Sequence, residues 1–371
     1  MLTIRETGET IRPVSIQKLP SGKYRAVVRR NGVKRNGKAH DTRREALADE
    51  AQIRLEMGSG PDEAEITVDA LLKDQIEQGR YSVTTLDDLR RVHRKLPAPF
   101  LARTVRDVTP YVLDGLYREL KAEGWTAHRV RRVHEMVGAA YRQRAIPFRW
   151  ASTNPARDVK PPSLPSHQIV PPTVAEVQRL LSAAPVGLNL FLRLAANTGA
   201  RRGEVLALQW QDFDLETRRL VIRRSVSHTS ASGLVVTDGK TGRKGHRSIG
   251  LGPSIVEMLE EYRREQAEVA AKNELPAPRW LFSHDGGVTP WRPDYVTLAF
   301  GRLRKTLGLD SVRLHDLRHF VATTMLSEGV PLATVSNRLG HARKSTTLDR
   351  YSHWMPQQDQ DAADRLDGLF T

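Results

Sequence analysis

A proline-rich segment in the middle of the chain limits the fold more than any other feature of the sequence. Residues 154–172 read NPARDVKPPSLPSHQIVPP and contain six prolines. Proline lacks a backbone N–H and fixes its own φ, so neither a helix nor a central strand can run through this segment. The segment predicts a linker between parts that fold separately, and MGSGPDE at residues 57–63 predicts a second one.

Two linkers predict three domains, and 371 residues are enough for two or three of ordinary size. We expect boundaries at residues 1–60, 61–163 and 164–371. The fold class expected is multidomain α+β. It combines a small N-terminal three-stranded sheet with one helix, a helical middle domain, and a mainly α-helical third domain with a small antiparallel sheet.

Turn and capping signals predict the structure of the first domain. Asn31-Gly32 separates two strand-like runs, KYRAVVRR and VKRNGKAHD, which predicts a hairpin, and VSIQKL supplies a third strand. Thr42 followed by Glu45 is a capping box at the start of a helix. The region is also basic, because residues 11–40 hold nine Lys and Arg residues and no acidic residue.

The whole chain carries 58 basic against 43 acidic residues, a formal net charge of +15, which favours a polyanionic partner such as nucleic acid. A solvated basic surface is the alternative. The candidate DNA-binding residues in the first domain are Lys18, Lys23, Arg25, Arg29, Arg30, Lys34, Arg35 and Lys38.

The remaining segments predict helices with a few strands. Residues 66–150 show helical periodicity throughout. After Thr173, the runs RRLVIRRSV, GLVVTD and HRSIGL predict one small antiparallel sheet, WLFSH predicts a short strand, and DAADRLDGLF predicts a final helix.

Composition excludes several kinds of chemistry. The chain has no cysteine, which rules out disulfides, thiolate metal sites and a cysteine nucleophile. No run approaches the length of a membrane span, and the polar start MLTIRETGET lacks the apolar core of a signal peptide. We therefore expect no membrane partner and a cytoplasmic location.

Five short motifs in the third domain hold residues suited to binding a phosphate. Taken singly, each has an ordinary structural explanation, such as a solvated arginine or a turn lysine. The motif His315-Asp316-x-x-His319 also mimics the HExxH zinc pattern. We expect no metal there, because no third ligand is evident and Arg318 would oppose a dication. The candidate residues are Arg201 with Glu204, Lys240, His315 with Arg318, His341 and Tyr351.

The order of these motifs is more specific than any one of them. TGARRGE, DGKTG, HDLRH, LGH and then a tyrosine ten residues later resemble the tyrosine recombinase (phage integrase) family over about residues 173–355. The resemblance implies that Tyr351 is the nucleophile, that Lys240 is the general acid, with Lys244 as the alternative, and that Glu204 supports Arg201. The remaining catalytic residues that it implies are Arg201, His315, Arg318 and His341.

The resemblance also implies an architecture and a set of partners. The basic first domain resembles the arm-type DNA-binding domain of phage integrases, and residues 61–163 take the place of the core-binding domain. The implied function is site-specific recombination for a phage or mobile element through a 3′-phosphotyrosine, without metal or other cofactor. The implied partners are double-stranded DNA attachment sites, a homotetramer on DNA, a host DNA-bending protein and a directionality factor, in the cytoplasm and nucleoid of a bacterial host.

Two other functions remain open at this point. A type IB topoisomerase would share the tyrosine and most of the chemistry, although the arm-like domain argues against it. A DNA-binding regulator without enzymatic activity is the other, although every catalytic position holds the expected residue type.

Overall fold

The computed structural model describes residues 15–30, 33–56, 66–164, 170–238, 246–340, 345–351, 364 and 366–368. The chain forms two compact units, one comprising Met1–Gly79 and Val92–Ser163 and the other Arg80–Arg91 and Leu164–Thr371. Helices and short antiparallel sheets make up both, which confirms the predicted α+β class.

The first unit begins with a three-stranded antiparallel sheet of order β1-β2-β3. The strands are β1 Ser15–Lys18, β2 Tyr24–Arg30 and β3 Val33–His40, and helix α1 Arg43–Glu56 follows them. Arg30 pairs with Val33, as the predicted hairpin requires. Ala26 and Val28 of β2 pack against Ile53 of α1, which holds the helix on one face of the sheet.

The rest of the first unit is helical. It contains α2 Val68–Gln78, α4 Ala98–Leu101, α5 Pro110–Ala122 and α6 Ala127–Ala140, while α3 Val83–His93 crosses the division between the units. Threonines cap the starts of α2, α5 and α6, because each Oγ1 accepts a backbone N–H from the first turn. Leu72, Leu113 and Val133 are fully buried among these helices.

The predicted linker starts later than the sequence suggested. Asn154 Nδ2 donates to the carbonyl of Gly138 at 2.9 Å, and Pro155–Arg157 form a short 3₁₀ turn. Ala156 is buried, and a Cβ added at Gly138 would lie 3.3 Å from its methyl group. Residues 154–157 therefore pack against α6, because the glycine leaves room for them.

The second unit holds α7 Val174–Ala183, α8 Val186–Thr198, α9 Arg202–Leu206, α10 Pro253–Lys272, α11 Pro293–Thr306, α12 Asp316–Ser327, α13 Leu332–Leu339 and α14 Ser345–Tyr351. Its core includes Phe191 and Phe282, whose rings meet edge to face with centroids 5.5 Å apart. Thr173 and Glu176 form a capping box at the start of α7.

The strands of this unit are antiparallel, as predicted, and they divide between two small sheets. β4 Phe213–Asp214, β5 Arg219–Ile222 and β8 Arg247–Gly250 form one antiparallel sheet, and β6 Ser225–Thr229 and β7 Gly233–Thr237 form the other. The run RRLVIRRSV breaks at Arg223 and Arg224, whose guanidiniums both pair with the buried Asp212. This contact separates β5 from β6.

Two other predictions of local structure have different outcomes. The predicted strand WLFSH was wrong, because Trp280 makes only an isolated bridge to Gln209. Most of the predicted final helix lies outside the described residues, where only Asp364 and residues 366–368 are described.

Candidate functional site

Arg201 is held at the junction of two helices. Helix α8 ends at Thr198, and Gly199 adopts φ +65° to reverse the chain. Arg201 is then the N-cap of α9, and Glu204 in the first turn accepts its backbone N–H and its guanidinium, each at 2.8 Å. A Cβ added at Gly199 would lie 2.6 Å from Leu339, so the turn requires glycine for space as well as for φ.

Glu204 also binds a second guanidinium that the sequence did not reveal. Arg247, at the start of β8, donates to Glu204 Oε2 at 2.7 Å and to the carbonyl of Arg338 at 2.8 Å. Burial alone would raise the pKa of Glu204, but the hydrogen bonds from Arg247 and Arg201 outweigh it, and the pKa lies below its ordinary value. The carboxylate thus orients two cations at once.

Arg318 approaches the same junction from α12. Its Nη1 donates to the carbonyl of Gly199 at 2.7 Å, and the residue is only 4% exposed. Its Nη2 is buried and has no hydrogen-bond partner among the described residues. Burial, together with the nearby charge of Arg201, lowers the pKa of Arg318 to about 9. A buried guanidinium with an unused N–H is suited to binding an anion.

Three of the predicted site residues line one cavity of about 450 Å³. Arg201, His315 and Arg318 all contribute to its wall, together with Gly203 and the β6 residues Ser225 and Val226. A Cβ added at Gly203 would lie 2.4 Å from the carbonyl oxygen of Val226, so this glycine permits α9 to approach β6. Two guanidiniums and an imidazole around one cavity are chemically suited to binding a phosphate group.

Tyr351 is the last residue of α14 and lies in a separate apolar cluster. It is 1% exposed and shares the cluster with Val321 of α12 and Leu339 of α13. Its hydroxyl makes a hydrogen bond of 2.5 Å with Nδ1 of His319. Tyr351 also interacts electrostatically with Arg318, so it lies near the cavity.

Two residues of the HExxH-like pattern each have another partner in the structure. His319 bonds Tyr351, and Asp316 Oδ2 accepts the backbone N–H of Arg313 at 2.7 Å at the start of α12. Within the described ranges, no group of three or more His, Asp and Glu side chains is arranged to hold a metal ion. None of the helices described there is long and apolar enough to cross a membrane.

Several predicted residues cannot be placed. Lys240, its alternative Lys244 and His341 lie outside the described residues. The same holds for the side chains of Arg29 and Arg30. The candidate DNA-binding residues that are described lie on or between β1, β2 and β3, where Lys18 lies over the ring of Tyr24 and Lys23 pairs with Asp41 at 3.0 Å.

Known proteins resemble this chain in sequence and in fold. The sequence profile of the phage integrase family matches residues 173–358, half of the chain. The chain belongs to the phage integrase family. It is 32% identical to the ICEBs1 integrase of Bacillus subtilis over 202 residues, which cover 52% of this chain and 53% of that protein. It thus spans about half the length of this relative.

Other similarities extend over more of the chain. The putative prophage phiRv2 integrase of Mycobacterium tuberculosis is 28% identical over 294 residues, which cover 76% of this chain and 74% of that protein. The Tn1549 transposon integrase in complex with transposon right end DNA superposes with a TM-score of 0.69 at 19% identity, covering 81% of this chain and all of that one. A lambda integrase dimer bound to a core site superposes over 94% of this chain and 97% of that one, with a TM-score of 0.56 at 18% identity. These superpositions show that the integrase family and this chain share a fold.

Proposed function

We propose that this chain is a site-specific DNA recombinase that integrates, and also excises, a phage or other mobile element. The observation that carries the proposal is the cavity lined by Arg201, His315 and Arg318, with Tyr351 close to Arg318. The names of its relatives, which include a prophage integrase and an integrase solved with transposon DNA, support the choice of substrate.

The proposed reaction is transfer of a DNA phosphoryl group to Tyr351. A phosphodiester under attack gains negative charge on its nonbridging oxygens, which Arg201 and Arg318 clamp from the cavity wall. His315 donates a further hydrogen bond, and Glu204 with Arg247 keeps Arg201 in place. Each such preorganised donor contributes about 10²–10³-fold to the rate.

The residues outside the described ranges complete the proposal. Lys240 protonates the departing 5′-oxygen, and His341 donates to the phosphate. The resulting 3′-phosphotyrosine retains the energy of the phosphodiester, so another 5′-hydroxyl can replace the first. This inventory relies on side-chain donors for every role, and we propose that strand cleavage needs no metal ion.

The proposed architecture assigns residues 1–60 to arm-site DNA, 61–163 to the core site and 164–371 to catalysis. A lambda integrase tetramer has been solved bound to a Holliday junction, which supports assembly of this chain as a homotetramer on its DNA. The substrate would be the attachment sites of the element, in the cytoplasm of its bacterial host.

The decisive experiment compares the wild type with Tyr351→Phe on nicked duplexes made from the DNA that flanks the gene. The wild type should form a covalent protein–DNA adduct, and it should do so in EDTA. Tyr351→Phe should bind the same duplex and form no adduct, because only the hydroxyl is lost. Tyr295→Phe is the matched control, since that tyrosine is 43% exposed on α11 and should remain active.

The same experiment can contradict the proposal. An adduct that persists in Tyr351→Phe would indicate that the nucleophile is Tyr295, Tyr262 or another hydroxyl. Strict dependence of cleavage on added magnesium or zinc would contradict metal-independent chemistry. Relaxation of supercoils without recombination of paired sites would indicate a topoisomerase instead.

A further inference from the structure

His319 has a contact that neither the motif pattern nor the proposed phosphate clamp explains. Its Nδ1 lies 2.5 Å from the hydroxyl oxygen of Tyr351, and both side chains are buried, His319 to 7% and Tyr351 to 1% exposure. A hydrogen bond of this length between buried groups fixes the position of the hydroxyl. The imidazole of His319 therefore orients the proposed nucleophile.

The two histidines of HDLRH occupy different positions. His315 lines the cavity with Arg201 and Arg318, on the side where a phosphate would lie. His319 comes one helical turn later on α12, and its ring meets that of His315 edge to face with centroids 5.0 Å apart. The hydroxyl of Tyr351 is thus held beside the first turn of α12, the same turn that supplies Arg318.

The ring of Tyr351 is fixed by packing as well as by its hydroxyl. Tyr351 belongs to one buried apolar cluster with Val321, Val335 and Leu339, which restricts the movement of its ring. Thr323 Oγ1 donates to the carbonyl of His319 at 3.0 Å and lies on the same helix. A base must lie within hydrogen-bonding reach of the proton that it removes, and His319 meets that requirement.

We propose that His319 is a further catalytic residue, the base that orients the Tyr351 hydroxyl and takes its proton as the oxygen attacks the phosphate. This role rests on the proposed function. For Nδ1 to accept the proton, the neutral ring must carry its hydrogen on Nε2. His315 then remains available to donate to the phosphate, so His319 acts on the tyrosine and His315 acts on the phosphate.

The bonds and protons of the step balance. The bond from Tyr351 Oη to phosphorus forms while the bond from phosphorus to the 5′-oxygen breaks. The tyrosine proton passes to His319 Nδ1, and the 5′-oxygen receives a proton from Lys240. Tyr351 gives up one proton and the 5′-oxygen gains one, so the step needs no further reactant. Rejoining reverses both proton transfers.

A second cavity makes the role testable by chemical rescue. This cavity, of about 300 Å³, is lined by His319 and His315, and by Glu176, Arg313 and Asp316. Among the described residues, the titratable or charged groups that line this cavity with His319 are these four, and Tyr351 on α14 contacts His319 directly. A small base such as imidazole can enter beside the position that a shortened residue 319 would vacate.

The test uses the full chain and a duplex with a 5′-bridging phosphorothiolate at the cleavage position mapped for the wild type. A thiolate leaves without help from a general acid, so the remaining pH dependence reports on activation of the tyrosine. His319→Gln keeps a hydrogen-bonding partner but cannot accept a proton at neutral pH. We expect it to cleave at least about 10²-fold more slowly than the wild type, the lower end for general base catalysis.

The pH profile and the rescue by imidazole distinguish a His319 that accepts a proton from a His319 that only supports the structure. The wild-type rate should fall as the pH is lowered through the range where imidazole becomes protonated, and His319→Gln should lack that decrease. His319→Ala should regain activity with added imidazole, in proportion to its neutral form. Thr323→Val, which removes hydrogen bonds to the backbone carbonyls of His319 and Phe320 but leaves the imidazole in place, should cleave like the wild type.

Two results would contradict the role proposed for His319. A His319→Gln variant with the wild-type rate and pH profile would remove the proposed base, and so would a His319→Ala variant that imidazole does not rescue. If the wild type forms its adduct on Tyr351 in that experiment, the proposed function stands and only the role of His319 fails. An adduct on another residue would instead overturn the proposed function.

Discussion

At the scale of single residues, Glu204 balances the charge of the candidate site. It is 7% exposed and pairs with both Arg201 and Arg247. We expect Glu204→Gln to lose about 3–5 kcal/mol of stability at pH 7, because it leaves the buried guanidinium of Arg247 without a counter-charge. Thermal unfolding of the full chain measures this loss, with Glu257→Gln on α10 as a control that should change little.

The pH dependence of that loss follows from the lowered pKa of Glu204. A carboxyl group whose folded pKa lies below its ordinary value stabilises the protein above that value, here 4.5. The stabilisation disappears as the pH falls through the folded pKa. The difference between wild type and Glu204→Gln should therefore shrink below about pH 4.5, and a difference that stays constant would contradict the ion-pair explanation.

Arg318 gives a second prediction at this scale. Its pKa of about 9 reflects burial and the neighbouring Arg201, and a bound phosphate would favour the charged form and raise that pKa. At pH 9, binding of core-site DNA should therefore be accompanied by proton uptake. Calorimetry in two buffers of different ionisation enthalpy measures this uptake. Arg318→Met should bind without the additional proton, and equal uptake in both proteins would contradict the prediction.

The sequence located part of this site and missed part of it. Arg201 with Glu204, and His315 with Arg318, lie three residues apart, so helical periodicity already brought each pair together. Arg247 lies 43 residues from Glu204, and its partner could be found only in three dimensions. A buried carboxylate implies more than one cation, but several basic residues after the β7 strand could have supplied the second.

At the scale of elements, the placement of α9 depends on one glycine. The Cβ of an alanine at position 203 would lie 2.4 Å from the carbonyl oxygen of Val226 and 2.6 Å from Ser225 Oγ. We expect Gly203→Ala to cost about 1–3 kcal/mol, as overpacking does, and to lower DNA cleavage, because α9 carries Glu204 and begins at Arg201.

Gly301→Ala is the matched control for that prediction. Gly301 lies within α11, and nothing would lie within 4 Å of its added Cβ. Alanine is the better helix former by about 1 kcal/mol, so this variant should be slightly stabilised and fully active. Thermal unfolding and adduct formation are measured for both variants, and equal behaviour would show that α9 tolerates displacement from β6.

The elements also show what periodicity can and cannot predict. The capping box of Thr42 and Glu45 marked the start of α1 correctly, because its signal is local. The break between β5 and β6 was missed because it depends on two arginines that pair with Asp212, about ten residues earlier. The segment WLFSH, whose first three residues are buried, was predicted as a strand, yet only Trp280 makes a β-bridge, an isolated one to Gln209.

At the scale of the whole molecule, residues 1–60 carry +6 of the net charge of +15, the highest density of positive charge along the chain. The sheet and α1 enclose only a small core, of which Ala26, Val28 and Ile53 are members. Hydrophobic burial therefore does not explain the number of lysines and arginines in residues 11–40, whereas contacts with DNA phosphates would. The arm-type role of this module is a proposal from family resemblance, and it predicts separable functions.

Removal of residues 1–60 should leave cleavage at the core site intact and abolish tight binding to distal arm sites. If about five of the basic residues contact phosphates, salt should weaken binding of the full chain to arm DNA. The logarithm of the association constant should then fall by about 4.5 for each unit increase in the logarithm of the salt concentration. The truncated chain should lack this component on the same DNA. Footprinting of both proteins on attachment-region DNA decides whether the contacts are specific, because an arm domain protects a repeated sequence outside the crossover core. Protection of that DNA without any preferred sequence would mean that the module adds only nonspecific affinity.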